Sequence, residues 1–152
     1  MLVQTCRFLL IFFWGSQLSS CLHNSSVYYS DSVNIGEWDI KNSISWEIPS
    51  VKGTSTIILN VCHSSEYKYE NIYLTGVISH DTDTLFNDVF NVSLMDQSGN
   101  WLGSASKKSI CVDYRIFEVS QNYESLKIDI SQFSRENNLS GIDFLEIKLS
   151  SP

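Results

Sequence analysis

The sequence predicts an all-β protein, an antiparallel β-sandwich of the jelly-roll or immunoglobulin-like kind with one short helix near the C-terminus. Short runs of alternating apolar and polar residues recur along the chain, as in 43–48, where Ile44, Trp46 and Ile48 share one face. Residues that favour turns separate these runs at regular intervals. No helix-length segment stands between successive runs, so the pattern indicates antiparallel sheets rather than alternating strands and helices.

The first twenty residues have the layout of a lipoprotein signal peptide. Arg7 precedes the apolar run 8–14, which is shorter than the ~20 residues that a membrane-spanning helix needs. Leu18-Ser19-Ser20-Cys21 then fits the bacterial lipobox, in which the cysteine thiol receives a diacylglyceryl group. We predict a signal peptide over 1–20, lipidation of Cys21 and a short tether over 21–26. The alternative is an ordinary signal peptide in which Cys21 is incidental.

The rest of the chain, 27–152, is predicted to form one domain. Its size is enough to bury a core without help from metals. The formal charge of the whole sequence is −7, and Lys107-Lys108 is its only basic doublet. Nucleic acid and anionic lipid headgroups are therefore poor partners.

Several segments carry the period-two pattern of strands. The first is short, Val27-Tyr28-Tyr29, because Asn34 and Gly36 predict a turn after it. The second ends at Pro49, which has no amide hydrogen to donate to a neighbouring strand. The third and fourth, separated by a polar turn at 64–66, are predicted to be antiparallel neighbours. The predicted strands are 27–29, 43–48, 54–63, 71–79, 85–94, 110–116, 123–130 and 141–149.

Two connecting segments have distinct compositions. The segment 96–100 reads Asp-Gln-Ser-Gly-Asn, which is typical of a turn. In the segment 131–138, Ser131 as an N-cap and Asn138 near the end predict one or two helical turns.

The cysteines Cys62 and Cys111 remain once Cys6 leaves with the signal peptide and Cys21 carries the lipid. In an exported protein two such thiols are a candidate disulfide, which would close a loop of about fifty residues and stabilise the fold by about 4 kcal/mol. No Cys-x-x-Cys spacing supports the bridge. Each cysteine could instead be a small buried hydrophobic residue.

No catalytic or metal-binding motif is present, so we expect neither an enzyme nor a cofactor. The three histidines lack zinc-site spacing. The acidic residues Asp81, Asp83 and Asp88 lack the glycine and distal glutamate of a calcium loop and are expected to form a solvated turn. An envelope hydrolase built from distant polar residues is the remaining enzymatic alternative.

Aromatic residues offer a different alternative, a carbohydrate- or peptide-binding platform. In a sandwich, aromatic side chains mostly fill the core or cover its ends, so such a platform requires that they be exposed on one face. The candidate residues are Trp38, Trp46, Trp101, Tyr67, Tyr69 and Tyr73.

Four short motifs stand out along the mature chain: Gly36-Glu37-Trp38, Tyr67-Lys68-Tyr69-Glu70-Asn71, Gly99-Asn100-Trp101-Leu102-Gly103 and Asn137-Asn138-Leu139-Ser140-Gly141-Ile142. In this order they resemble the gliding-motility lipoprotein family GldH of the Bacteroidetes. The matching segments come after the lipobox, and the resemblance spans essentially the whole mature chain. Ser140 departs from it, since family members commonly have proline there, and the Cys62 and Cys111 pair is not a family feature.

The resemblance implies a non-catalytic outer-membrane lipoprotein, anchored through Cys21, that supports the gliding machinery and the type IX secretion system. Its partners would be other envelope proteins of these assemblies. Asp31-Ser32-Val33 and Asp83-Thr84-Leu85 resemble the O-glycosylation signal of these bacteria, which makes Ser32 and Thr84 candidate glycosylation sites. No acidic run resembling a surface-export signal follows Cys21, which favours the periplasmic face of the outer membrane.

Overall fold

The computed structural model describes residues 26–106 and 108–151, and within them it shows nine strands and no helix. The predicted signal peptide and Cys21, with the tether up to Ser25, lie outside the described residues. None of the described residues forms a helix that is long and apolar enough to cross a membrane. The strands are β1 (Ser26–Asp39), β2 (Ser43–Ile48), β3 (Ser55–Ser64), β4 (Asn71–His80), β5 (Asp83–Ser93), β6 (Ser104–Ser106), β7 (Ser109–Val119), β8 (Leu126–Gln132) and β9 (Asn138–Ser151).

The strands form two antiparallel sheets. One has the order β1-β9-β3-β7-β6 and the other has the order β2-β8-β4-β5. The chain passes from one sheet to the other at most of its connections, and only the hairpins β4–β5 and β6–β7 stay within a sheet. With the three-residue β6 left aside, this is the strand order of a double-sheet jelly roll. The prediction of an all-β protein built from antiparallel sheets is therefore confirmed, and the two-sheet arrangement fits the predicted sandwich.

The core lies between the two sheets and contains the apolar face of each main strand. On β3, Ile57, Leu59 and Val61 are fully buried, and on β8 Ile128 and Ile130 are fully buried, within a single cluster. These positions follow the period-two pattern of the sequence, because a strand places alternate side chains on opposite faces.

The first strand is much longer than the predicted 27–29. It pairs with β9 along its whole length, and Gly36 lies within it at φ +73° rather than in a turn. The register shifts between Gly36 and Glu37, where Gly141 of β9 is the extra residue, so Gly36 lies opposite a β-bulge, a local irregularity at which both glycines adopt a positive φ. The same residue type serves turns and bulges, which is why the sequence prediction ended the strand too early.

The prediction that β3 and β4 are neighbours is wrong. β3 pairs with β7 and β9, whereas β4 pairs with β5 and β8 in the other sheet. The loop between them crosses from one sheet to the other, so that their apolar faces meet across the core. Alternation along a strand identifies its buried face and carries no information about its partner strand.

The predicted helix over 131–138 is also wrong. β8 continues through Ser131 to Gln132, a bend follows, and β9 begins at Asn138. Ser131 pairs with Ser43 and Thr75, and the Ser134 hydroxyl bonds to the Gln132 side-chain oxygen. These local side-chain bonds hold a turn, and they compete with the helical bonding that Ser131 as an N-cap would have started.

Candidate functional site

The structure joins Cys62 and Cys111 in a disulfide that links β3 to β7. The two residues are directly opposite each other in the strand register, and their Cα atoms are 4.1 Å apart. Cys62 is fully buried. The bridge therefore cross-links two neighbouring strands and belongs to the scaffold.

The candidate glycosylation sites both lie on strands at sheet edges. Ser32 is in the middle of β1 and Thr84 is near the start of β5, and both are exposed. An edge strand leaves one side free, so both hydroxyl groups are accessible to a modifying enzyme.

The three tryptophans named for the predicted platform do not form a binding surface. Trp38 and Trp46 are each only 2 % exposed and belong to the core. Trp101 is half-buried and packs its ring 4.6 Å from that of the buried His63. The tryptophans of the predicted platform therefore stabilise the fold.

Two tyrosines of the predicted platform are exposed to solvent, Tyr69 at 39 % and Tyr73 at 47 %. Beside them lies Phe133, which is 58 % exposed and was not among the predicted platform residues. The Phe133 backbone N–H donates a 2.8 Å hydrogen bond to the Tyr73 carbonyl, which holds the two residues side by side. The sequence does contain a sign of this exposed residue. Phe133 falls at every second position after Asp129 and Ser131, which point outward, and yet it is apolar.

These residues line a groove with a volume of about 800 Å³, which is within the range of ligand-binding sites. We call it the aromatic groove. Its floor is made of the buried residues Tyr67, Ile72 and Leu139, and its rim carries Tyr69, Tyr73 and Phe133. Polar side chains complete the lining: Asn71, Ser134, Arg135 and Glu136.

Tyr69 and Glu136 close one side of the aromatic groove. The Tyr69 hydroxyl donates a hydrogen bond to a Glu136 carboxylate oxygen, and this bond raises the pKa of the Tyr69 phenol above its ordinary value. The neighbouring Tyr67 is buried, and burial raises the pKa of its phenol still further. Both tyrosines are therefore neutral hydrogen-bonding groups at physiological pH.

Arg135 and Glu136 give the aromatic groove one positive and one negative side chain. Arg135 is exposed and forms no ion pair with any residue that the structure describes. Glu136 accepts the Tyr69 hydroxyl and also has no cationic partner in that part of the chain. The two charges cancel, although the chain as a whole is acidic.

The residues beneath the groove are closely packed against one another. Tyr67 packs edge-on against Tyr69 with ring centroids 5.7 Å apart. Gly141 lies directly behind Tyr67, where an added Cβ would come 3.3 Å from the Tyr67 Cα. The Tyr67 hydroxyl points to the Asn71 carbonyl oxygen at 3.4 Å. The aromatic groove is thus built on paired strands and a packed loop, which favours a fixed binding geometry.

The aromatic groove lies at the opposite end of β1 from Ser26. Ser26 pairs with Ser151, whereas Asp39 at the other end of the strand pairs with Asn138. The loop that carries Phe133 bonds to this second end, since Ile40 N–H donates to the Asn137 carbonyl at 2.8 Å. A strand of this length spans roughly 40 Å. The groove therefore faces away from the end of the domain at which the predicted lipid would attach.

Among residues 26–106 and 108–151, no group of His, Cys, Asp and Glu side chains is arranged to hold a metal ion. His63 is fully buried between Tyr67 and Trp101, and its Nδ1 bonds to the Ser64 carbonyl at 2.9 Å. Its position is that of a core residue.

Two solved structures align weakly with the chain. The VP2 subviral particle of infectious bursal disease virus aligns at 12 % identity and a TM-score of 0.33, over 80 % of this chain and 31 % of that chain. Dimeric latent PorU from Porphyromonas gingivalis aligns at 13 % identity and a TM-score of 0.28, over 83 % of this chain and 13 % of that chain. The chain spans about a third of the first protein and about an eighth of the second, and neither alignment bears on its function. No curated protein matches the sequence.

A family comparison agrees with the motifs found in the sequence. The profile described as GldH lipoprotein matches residues 26–149, which include every strand from β1 to the greater part of β9. The match covers well over half of the chain and confirms the resemblance. The chain belongs to the GldH lipoprotein family.

Proposed function

We propose that this protein is a lipid-anchored, non-catalytic component of the gliding-motility machinery, which it serves by holding a binding domain at the periplasmic face of the outer membrane. Membership of the GldH lipoprotein family supports a membrane-anchored envelope protein related to gliding motility. The lipobox ending at Cys21 supports the anchor. We extend the proposal to a role linked to type IX secretion, which is what the resemblance to this family implies.

The observation that supports the proposed binding role is the position of the aromatic groove. A lipid at Cys21 leaves only a few residues before Ser26, so the Ser26 end of β1 would stay close to the bilayer. The aromatic groove would then project about the length of β1 away from the membrane. That arrangement suits a domain that presents its binding surface to partners in the periplasm.

A second candidate function is a lipid-anchored carbohydrate- or peptide-binding module. The observation that favours it is the exposure of Tyr69, Tyr73 and Phe133 on a single groove. The two functions are compatible, since a component of an envelope machine could recognise its partner through this groove.

Replacement of Cys21 by alanine tests the anchor. The Cys21→Ala protein should be recovered in the soluble envelope fraction, and cells that carry it should lose spreading on agar. Cys6→Ala, which replaces a cysteine inside the predicted signal peptide, is the matched control and should stay with the membrane. If Cys21→Ala still sediments with the membrane fraction, the anchoring proposal is wrong.

Localisation and partners are tested in native envelopes. The wild-type protein should band with outer-membrane markers on a sucrose gradient and resist proteinase K added to intact cells. Crosslinking followed by purification should recover gliding or type IX secretion proteins. Banding with the inner membrane, or recovery of none of these proteins, would contradict the proposed role.

A further inference from the structure

We propose that the aromatic groove binds a neutral oligosaccharide, with pyranose rings stacked on Tyr73 and Phe133. The proposal deepens the binding-module function and rests on it. It is independent of the anchor at Cys21.

The exposed rings provide the stacking surface. A pyranose ring has an apolar C–H face that packs on an aromatic ring, while its hydroxyl groups point outward. Tyr73 and Phe133 are about half exposed, although large apolar side chains are normally buried. Their backbones are joined by a hydrogen bond at the edge of the groove, so Phe133, just after the end of β8, is held beside Tyr73 on β4. Such rings offer a large contact area at a low cost in conformational entropy.

The polar lining matches sugar hydroxyl groups, which donate and accept hydrogen bonds at once. Arg135 supplies donors, the Glu136 carboxylate supplies acceptors, and the Asn71 side-chain amide supplies both. The hydrogen-bond capacity of Arg135 is not used by an ion pair within the described residues. A vicinal pair of hydroxyl groups can satisfy an adjacent donor and acceptor together.

The charge of the lining favours a neutral ligand. Arg135 and Glu136 cancel each other, and the sequence as a whole carries −7. A strongly anionic ligand would meet the Glu136 carboxylate in the groove and the acidic chain around it, which is unfavourable. A strongly cationic ligand would meet the unpaired Arg135 guanidinium.

The backbone around the groove disfavours a peptide that binds by strand addition. Such a peptide needs an unpaired strand edge. The groove residues Ile72 and Tyr73 lie on β4 and pair with β5, whereas the pairing of β4 with β8 begins at Leu74. The N–H of Phe133 is already bonded to Tyr73. Because the Tyr73 carbonyl already accepts from Phe133 and the Asn71 carbonyl accepts from the Tyr67 hydroxyl, side chains offer the freer hydrogen-bonding groups in the groove, as an oligosaccharide requires.

The test uses the full-length chain purified with its lipid in a polyoxyethylene detergent, because detergents with sugar headgroups would compete for the groove. The probe is an array of neutral oligosaccharides of two to six glucose, galactose, mannose or N-acetylglucosamine units. Hits are quantified by isothermal titration calorimetry. An array of proline-rich peptides is probed in parallel, since such peptides also bind aromatic grooves.

We expect saturable binding to at least one oligosaccharide, and a loss of about tenfold or more in affinity for each of Tyr73→Ala and Phe133→Ala. Val89→Ala is the matched control, because Val89 is 42 % exposed on β5 and does not line the groove. Arg135→Gln should weaken binding, whereas Arg115→Gln on the other sheet should not. All variants should melt at the wild-type temperature, since the replaced side chains are exposed.

The proposal is overturned if no oligosaccharide binds saturably, if Tyr73→Ala and Phe133→Ala bind as well as the control, or if only peptides bind. The last result would leave the binding-module function standing with a different ligand. A membrane-bound wild-type protein that binds no sugar would likewise leave the anchor intact, so the two proposals fail separately.

Discussion

Gln132 on β8 donates a hydrogen bond from its side-chain amide to the backbone oxygen of Trp38 on β1, at 2.9 Å, and this bond joins the two sheets at the groove end of the sandwich. Both residues are buried, with exposures of 3 % and 2 %. The Gln132 side-chain oxygen also accepts from Ser134, at the start of the bend that carries Phe133. One buried side chain therefore ties the sheets together and shapes the loop beside the groove.

Replacement of Gln132 by leucine should destabilise the fold by about 1–3 kcal/mol, because the buried Trp38 carbonyl would lose this donor. Urea unfolding measures the change in the free energy of unfolding. Gln97→Leu is the control, since Gln97 is exposed in a turn, and it should change stability by less than about 0.5 kcal/mol. Equal stability of Gln132→Leu and wild type would contradict the role given to this bond.

The Cys62–Cys111 bridge should stabilise the folded state by about 4 kcal/mol, since its loop restricts the unfolded chain. The Cys62→Ala/Cys111→Ala double variant should therefore unfold at a lower urea concentration than the oxidised wild type. The reduced wild type is the matched control and should resemble the double variant. If a thiol assay shows that the wild type is completely reduced and its urea unfolding midpoint equals that of the oxidised protein, the bridge contributes no stability.

Asp96 should make the stability of the 96–100 turn depend on pH. Its carboxylate accepts the Asn100 backbone N–H at 2.8 Å and the Asn100 side-chain amide at 3.1 Å, with the Ser98 N–H at 2.8 Å. These bonds, led by that from the Asn100 backbone, lower the pKa of Asp96 below its ordinary value of 3.8. The stabilisation is then complete above pH 3.8 and is lost as the pH falls through the lower folded pKa.

Asp96→Asn removes this dependence. The difference in unfolding free energy between wild type and Asp96→Asn should shrink as the pH drops below about 4. An NMR titration of the Asp96 side chain gives the pKa directly. Asp88→Asn on the exposed strand β5 serves as control. A measured Asp96 pKa at or above the ordinary value would refute the assignment.

Gly103 and Gly99 form a matched pair at nearly equal φ, +85° and +84°. At Gly103 an added Cβ would lie 2.0 Å from the Cys111 carbonyl oxygen, whereas at Gly99 nothing lies within 4 Å. Gly99→Ala should therefore lower the free energy of unfolding by about 1 kcal/mol, through backbone strain alone. Gly103→Ala should lower it by roughly 3 kcal/mol or more, because the added methyl group also clashes with Cys111. Thermal unfolding of the two variants measures the difference, and equal losses would show that the close approach of Gly103 to β7 is unimportant.

Much of this structure follows from local patterns in the sequence. The inward faces of β2, β3 and β8 could be predicted because a strand alternates its side chains, and a buried face must then be apolar at every second residue. The turn at 96–100 could be predicted because aspartate and asparagine bond to nearby backbone groups. The exposed Phe133 could have been predicted from the same alternation. It is an apolar residue at the position that continues the outward-facing polar residues of β8.

The lipobox, the family motifs and the alternating pattern are properties of short segments, so the sequence by itself determined the class of protein, the candidate anchor at Cys21 and the all-β character. Only the tertiary structure decided that β3 pairs with β7 and β9, that Ser131 continues a strand, and that Tyr73 and Phe133 share a groove. These relationships depend on contacts between residues far apart in the chain. Their energies come from packing and hydrogen bonding across the sandwich, which no local pattern contains.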